Sequence, residues 1–160
     1  MITGLKPRGF TWVIADRLAV SERIGGYGFQ HRRVRREEEI SWLVKEAKIT
    51  HVVTLLAGNQ NLQAYSAAGL ESHSVPIPSD LTPGDAARLY QTLDELLKRP
   101  GARVLVHREI IDDTVAGLIG GYLIASKLLD DRILAAAIIQ EILGRPLGPE
   151  GRALIPEPRV

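Results

Sequence analysis

The stretch that most constrains the fold runs from Val104 to Gly117, where an apolar segment meets a polar loop and continues as an apolar helix. Val104 to Val106 follow the turn-forming pair Pro100-Gly101, and a short aliphatic run in this setting is typical of a fully buried strand of a parallel sheet. The segment from Val115 to Leu129 is apolar almost all round, which predicts a buried helix. In an open α/β sheet, ligands usually sit at the carboxyl ends of the strands, so the loop is the first candidate for a functional site.

The length and composition indicate one globular domain. The chain has 160 residues, of which 45% are hydrophobic and 24% charged, and this is enough to bury a hydrophobic core. We expect residues 1–160 to form a single domain with a core from about residue 10 to residue 146. Prolines and glycines recur from residue 147 to 160, which predicts an irregular tail. The net charge of +1 argues against general nucleic-acid binding.

The chain contains no cysteine, so it has no disulfide, no thiolate metal site and no thiol catalysis. Its first ten residues are polar, contain Pro7 and do not resemble a signal peptide, which favours a cytoplasmic location. The longest apolar run, Val115 to Ser126, contains three glycines and is too short to span a membrane. We therefore expect no membrane association.

Alternating and β-branched segments predict the strands of a sheet. Phe10 to Ile14 and Leu18 to Ser21 have the pattern of a hairpin at a sheet edge. Ile49 to Leu56 predicts a buried parallel strand, and Glu71 to Pro78 predicts a strand that continues into a proline-shaped loop. Apolar residues at helical spacing predict further helices from about Glu37 to Lys48, Asn59 to Ala67, Thr82 to Arg99 and Ile133 to Leu143.

The segment from His31 to Glu39 has the strongest charge pattern in the chain. Its glutamates, Glu37 to Glu39, suit the first turn of a helix, where they complement the positive end of the helix dipole. The arginines before them predict either a solvated loop paired with the glutamates, which the pattern favours, or an anion-binding patch. These arginines are Arg32, Arg33, Arg35 and Arg36.

The stretch Val104 to His107, followed at a fixed interval by Gly121 to Ala125, resembles the dual-specificity branch of the cysteine-based protein tyrosine phosphatases. In that family the strand ends in His before the signature Cys-x-x-Gly-x-x-Arg-Ser/Thr-Gly, and the next helix carries a Tyr-Leu pair. The resemblance covers about Trp12 to Pro146. It implies an α/β fold with a central, mostly parallel sheet of four or five strands and helices on both faces.

The signature loop after His107 departs from the family where the chemistry lies. Arg108 stands at the position of the nucleophilic Cys, and a guanidinium cannot attack phosphorus because it stays protonated. Ile111 replaces the loop Gly and resists the backbone conformations that close around an anion. Thr114 replaces the Arg that grips phosphate. The sequence therefore lacks both the nucleophile and the main phosphate ligand of the family.

Three carboxylates in the same loop, Glu109, Asp112 and Asp113, disfavour a bound phosphate. An unpaired guanidinium would be costly beside the amino end of the next helix. We therefore expect Arg108 to pair with one of these carboxylates, so that protein side chains fill the former phosphate site.

The segment after Ile77-Pro78 corresponds to the loop that supplies the general-acid Asp in the family. Ser79 occupies the most similar position, and Asp80 follows one residue later. An acid without a nucleophile has no leaving group to protonate, so the resemblance implies no catalytic role here.

The resemblance and its departures predict a catalytically inactive relative, a pseudophosphatase, that acts as a binding or regulatory module. Its partner would be a protein or a small ligand at the former active-site cleft, with no cofactor and no metal.

Two alternatives stay open. Ile111 to Thr114 resembles the Asp-x-Asp-x-Thr motif of the Asp-nucleophile phosphatases, which suggests a hydrolase that uses Asp112 or Asp113, although Ile110 stands at the nucleophile's position. A divalent cation held by acids and His is the other alternative. Its ligands would be His107, Glu109, Asp112 and Asp113. Acids at this place are also ordinary caps of a helix.

Overall fold

The computed structural model describes residues 4–26, 29, 31–58 and 61–156. The strands are β1 Thr11–Ile14, β2 Leu18–Ser21, β3 His51–Thr54, β4 Glu71–Ser74 and β5 Val104–His107. The helices are α1 Arg33–Lys45, α2 Leu62–Ala67, α3 Pro83–Leu97, α4 Asp113–Ala125, α5 Arg132–Leu143 and α6 Pro149–Ala153. The chain forms two compact units, Met1–Ile110 and Ile111–Val160. Among the described helices, none has the length and apolarity of a membrane span.

The first unit contains a five-stranded sheet with the strand order β1-β2-β5-β3-β4. The β1–β2 hairpin is antiparallel, and every other pairing is parallel. The residues of β2, β3 and β5 are all buried, as expected for central parallel strands, while those of β1 are only half-buried. This confirms the predicted α/β class with a mostly parallel sheet flanked by helices.

Helices cover the sheet because its strands carry apolar residues on both faces. Ala19, Leu105 and Val52 are neighbours in one row across β2, β5 and β3. Ile40 and Leu43 of α1 and Tyr65 of α2 belong to the same buried cluster. On the other face, Val20, Val106 and Val53 form the next row and are fully buried, and α3 contacts β5.

Helix α1 begins four residues earlier than the sequence predicts. Arg32 is its N-cap residue, so Arg33, Arg35 and Arg36 lie on the helix rather than in a loop. The predicted placement of the glutamates in the first turn is therefore wrong. Arg33 pairs with Glu37 and Arg35 with Glu39, both at 3.0 Å and four residues apart, and such pairs stabilise a helix that contains both partners.

The remaining boundaries of the first unit follow local chemistry. Strand β4 ends at Ser74, where the predicted proline-shaped segment begins, and the Val75 and Ile77 N–H groups still donate to the Thr54 and Leu55 carbonyls at 2.9 Å. Helix α3 begins at Pro83, and Thr82 and Asp85 form a reciprocal capping box at its start. The predicted beginning of α2, at Asn59, lies outside the described residues.

The second unit consists of α4, α5 and α6, and it corrects the prediction of an irregular tail from residue 147. Both oxygens of the Asp113 carboxylate accept backbone N–H groups, one from Gly148 at 2.6 Å and the other from Gly151. These bonds fix the chain around Pro149, whose ring suits the first turn of a helix, and α6 forms there. The last four residues, 157–160, lie outside the described part of the chain.

Candidate functional site

The carboxyl ends of β2, β5 and β3 meet at one edge of the sheet. Ser21 and Thr54 are the neighbours of His107 in adjacent strands, and all three residues are buried. The segments that follow these strands stay together. The Arg23 N–H donates to the Glu109 carbonyl at 3.2 Å, and the Leu55 N–H donates to the His107 carbonyl at 3.0 Å. This edge is where ligands of open α/β sheets usually bind.

His107 ends β5 and is fully buried. Its Nδ1 lies 3.4 Å from the Arg108 carbonyl, and its ring and that of Tyr65 form a T-shaped pair with centroids 6.5 Å apart. Its Nε2 is buried and has no hydrogen-bond partner within the described residues. Burial lowers the pKa of His107 to about 4, so the imidazole is neutral at pH 7.

Arg108, which the resemblance assigns to the position of the nucleophile, reaches toward the segment that follows β4. Its Nη2 donates to the Ile77 carbonyl at 3.0 Å. Glu109, one of its expected partners, pairs with Arg23 instead, at 3.2 Å. The expected pairing of Arg108 with Glu109, Asp112 or Asp113 stays a prediction, and the segment after β2 brings Arg23 to the first of these carboxylates.

Ile77 belongs to the segment that the resemblance assigned to the general acid. Its N–H donates to the Leu55 carbonyl at 2.9 Å, so the backbone up to this point is tied to the segment after β3. Ser79 and Asp80 follow in an exposed turn. Their assignment to the former general-acid loop stays a prediction.

The second half of the loop lies in the second unit and is held by its own contacts. The Ile111 carbonyl accepts from Arg145 Nη1 at 2.7 Å. Asp112 is the N-cap of α4, and its Oδ1 accepts the Val115 N–H at 3.0 Å. Thr114, which the resemblance assigns to the position of the phosphate-binding Arg, is half-buried in the first turn of α4. Asp112 therefore has the ordinary helix-capping role that the sequence analysis left open.

The cation alternative named four ligands in the loop, namely His107, Glu109, Asp112 and Asp113. Within the described ranges, one group of three ligating side chains has its ligand atoms within 4.8 Å of one another, and none of the four belongs to it. Within its own unit, Glu109 pairs with Arg23, and the Asp113 carboxylate accepts two backbone N–H groups. The group itself consists of His51, Glu71 and His73.

The candidate anion patch on α1 divides into paired and unpaired donors. Arg32 donates to the carbonyls of Phe29 and His31 at 2.6 and 2.9 Å. Arg33 and Arg35 form the salt bridges described above. Arg36 differs from them, because its Nε is buried and finds no acceptor among the residues that the structure describes.

Arg23 is a residue of this edge that the sequence reasoning missed. Its side chain is only 12% exposed, and its Nε also lacks an acceptor within the described part of the chain. The available signal was its position two residues after β2, because a residue just beyond a parallel strand lies at the carboxyl edge. The hairpin pattern showed β2 but not that its other neighbour is β5.

The fold has many counterparts among solved structures, although no protein-family model and no curated protein matches the chain. The core catalytic domain of the PP-IP phosphatase SIW14 from S. cerevisiae matches with a TM-score of 0.68 and 16% identity, over 96% of this chain and 87% of that one. Kinase-associated phosphatase gives 0.75 and 15% over 94% and 93%. Tk-PTP gives 0.69 and 16% over 92% of each. The chain has the fold of the dual-specificity protein tyrosine phosphatases.

The comparisons also correct the function predicted from the sequence. The neighbours are named as phosphatases, so a catalytically inactive binding or regulatory module is wrong by this comparison. The same correction covers the two alternatives given with that function, an Asp112/Asp113 hydrolase and a cation-binding loop, neither of which the comparisons support. The absence of cysteine removes the family's usual nucleophile and fits inactivity, but it does not demonstrate inactivity.

Proposed function

We propose that this chain takes a phosphate ester as its ligand or substrate at the carboxyl edge of the sheet, where arginine side chains hold the phosphate. One observation carries the proposal. The Nε–H groups of Arg23 and Arg36 are buried and lack an acceptor among the described residues. A buried donor without an acceptor costs about 1–3 kcal/mol, and a phosphate oxygen removes that cost. The planar guanidinium fork also matches the geometry of phosphate.

The surroundings of both arginines support a shared location. Arg23 lies beside the segment that follows β5, through its backbone bond to Glu109. Arg36 projects from α1 against the segment that follows Arg23, since a Cβ built on Gly25 would lie 3.0 Å from the Cβ of Arg36. Arg108 adds a third positive charge at the end of β5. The carboxylates of Glu39 and Glu109 offset part of this positive charge, and an anion would neutralise the remainder.

The names of the structural neighbours support a phosphate ester as the ligand. SIW14 is named as a PP-IP phosphatase, and its structure holds citrate, an anionic ligand. Kinase-associated phosphatase is named as a phosphatase too. We propose that the partner expected from the sequence, a protein or small molecule at the former cleft, is one that carries a phosphate. A cytoplasmic location belongs to the same proposal.

We also infer that the chain forms no phosphocysteine intermediate, because Arg108 stands in place of the nucleophile and no cysteine exists elsewhere. The loop from His107 to Thr114 is on this view a degenerate form of the phosphate-binding loop. Any hydrolysis would need direct attack of water on phosphorus, with Asp80 as the candidate general acid for the leaving group.

The test is a thermal-shift and calorimetric titration with phenyl phosphate and with inorganic phosphate. We expect both to raise the melting temperature of the wild type, because they bind the folded state only. Arg23→Gln and Arg36→Gln should each reduce the shift strongly. Arg33→Gln is the matched control, since Arg33 lies on the same helix but is exposed and paired with Glu37. It should behave as the wild type does.

The absence of a shift in the wild type, or an equal shift in the Arg23→Gln, Arg36→Gln double variant, would refute the proposal. Release of p-nitrophenol from p-nitrophenyl phosphate, followed in parallel, separates a substrate from a ligand. Hydrolysis by direct attack of water should continue after treatment with iodoacetamide, because the chain has no cysteine to alkylate.

A further inference from the structure

Three ligating side chains lie together at the amino ends of β3 and β4, the opposite end of these strands from the phosphate site proposed above. His51 and Glu71 are direct neighbours in the parallel pairing, and His73 follows Glu71 on the same face of β4. The imidazole rings of His51 and His73 are stacked, with centroids 5.9 Å apart. Strand register therefore places two imidazoles around one carboxylate.

The spacing of the ligand atoms suits a small metal ion. Glu71 Oε2 lies 2.7 Å from His51 Nε2, and Glu71 Oε1 lies 3.7 Å from His73 Nε2. Ligand atoms around tetrahedral Zn²⁺ are roughly 3.3 Å apart, because each lies roughly 2.0 Å from the metal. The two observed separations bracket that value, so small side-chain rotations would complete the coordination.

His51 also has the supporting contact that metal-bound imidazoles usually have. Its Nδ1 lies 2.6 Å from the Thr50 hydroxyl oxygen. That hydroxyl accepts the Arg103 N–H at 2.9 Å and can donate to the Arg103 carbonyl at 3.2 Å. When a metal ion replaces the proton on Nε2, Nδ1 keeps its proton and donates it to the Thr50 hydroxyl, whose own proton is donated to the Arg103 carbonyl. A cation between His51 Nε2 and Glu71 would stabilise this arrangement.

His73 supplies a second, independent indication of a ligand. Its Nε2 is buried and has no hydrogen-bond partner within the described residues, although its side chain as a whole is 26% exposed. Burying an imidazole nitrogen without a hydrogen-bond partner costs free energy. Metal coordination at Nε2 removes that cost.

Arg99 now supplies the positive charge that a metal would supply. Its Nη1 donates to Glu71 Oε2 at 2.9 Å and lies 3.3 Å from His51 Nε2. The Arg99 side chain is 52% exposed, so it can turn into solvent without leaving a buried cavity. The guanidinium and a metal ion would therefore compete for the same acceptors.

We propose that His51, Glu71 and His73 form a binding site for a divalent transition-metal ion of the Zn²⁺ type, with Arg99 displaced and the fourth position taken by water. Two imidazoles and one carboxylate select ions of this borderline class over Mg²⁺ or Ca²⁺. The site is separate from the phosphate proposal and stands without it.

Calorimetric titration of the metal-free protein with Zn²⁺, and the visible absorption of the Co²⁺ form, test the site. We expect one ion per chain and a four- or five-coordinate Co²⁺ spectrum. His73→Ala and Glu71→Gln should each weaken Zn²⁺ binding at least tenfold. Arg99→Ala should tighten it several-fold, because the competing cation is gone.

His31→Gln is the control, since it removes a histidine that contacts Asn61 rather than this cluster. Its Zn²⁺ affinity should equal that of the wild type. Circular dichroism and melting temperature establish that each variant is folded. Failure to bind one Zn²⁺ per chain, or equal affinity in the wild type and in folded His73→Ala, overturns the assignment. An Arg99→Ala variant that binds no more tightly would also oppose it, because competition follows from the geometry.

Discussion

Asp113 and Gly148, 35 residues apart in the chain, are joined by a hydrogen bond of 2.6 Å from the Gly148 N–H to the Asp113 carboxylate. The other oxygen of the same carboxylate accepts the Gly151 N–H. Asp113, which the sequence analysis placed in a signature loop, thus binds the N-cap residue of α6, Gly148, and also Gly151 within that helix. Its chemistry at this position is structural, because both oxygens are engaged by backbone donors.

Replacing Asp113 by Ala should therefore lower the free energy of unfolding substantially. Hydrogen bonds to a charged acceptor are worth about 1.5–3 kcal/mol each, and the Gly148 and Gly151 N–H groups would lose theirs. Urea denaturation followed by circular dichroism measures the loss. Asp130→Ala is the control, since Asp130 is exposed and should change stability by less than about 0.5 kcal/mol. Equal stability in the two variants would show that the contacts around Asp113 contribute little.

A second prediction concerns the contact between α4 and α6. A Cβ added at Gly117 would lie 2.4 Å from the Gly151 carbonyl oxygen, which is backbone and cannot turn away. Gly117→Ala should destabilise the protein by about 1–3 kcal/mol, because the helices must separate. Thermal unfolding measures it.

The matched control is Gly84→Ala in the first turn of α3. A Cβ there would meet only Thr82 Oγ1, at an ordinary 3.6 Å. Alanine is the better helix former, so this variant should be as stable as the wild type or more stable by up to about 1 kcal/mol. If Gly117→Ala matched Gly84→Ala, the close approach of the two helices would not exist in solution.

The sheet could be predicted from the sequence because its signals are local. Short β-branched runs define β3 and β5, and the Asp112 cap defines where α4 begins. Helix α6 could not be predicted in this way, because it depends on Asp113, more than thirty residues earlier. The start of α1 was misplaced for a related reason, since the arginine-rich segment looks like a loop until its partners at i+4 are counted as helix contacts.

The candidate sites depend even more on pairings that the sequence does not show. His51 and Glu71 are 20 residues apart and meet only because β3 and β4 pair in one register. Arg23 reaches the carboxyl edge only because β2 pairs with β5. Strand order and register are set by the whole sheet, so the contacts of His51, Glu71 and Arg23 can be assigned only once the fold is known.

A third prediction tests how far the loop is from the family's chemistry. The double variant Arg108→Cys, Thr114→Arg restores the two signature residues, but it should gain no turnover of p-nitrophenyl phosphate over the wild type. Asp112 and Asp113 still carry negative charge in the loop, and Ile111 still stands where the family has Gly. A steady-state assay of both proteins is the measurement. A gain that iodoacetamide abolishes would show that the loop closes around phosphate despite these residues.

The last prediction is a pH dependence that arises from His107. Its pKa is lowered from 6.5 to about 4, chiefly by burial, and the neighbouring Arg23 charge also lowers it. Between these two values the unfolded chain binds a proton that the folded chain does not, so stability falls as the pH decreases from 6.5 toward 4. The loss between pH 7 and pH 5 should be roughly 2 kcal/mol. Urea denaturation at the two pH values measures it.

His107→Gln has no such titration, so its stability should change less than that of the wild type over the same interval. The comparison uses the slope with pH rather than the absolute stability, because the substitution also alters packing against Tyr65. His31→Gln serves as the control, because its folded state keeps the buried His107 and should keep the wild-type slope. Identical slopes in the wild type and His107→Gln would mean that His107 takes up its proton in the folded protein at an ordinary pH, and therefore that water or a nearby acceptor reaches its Nε2.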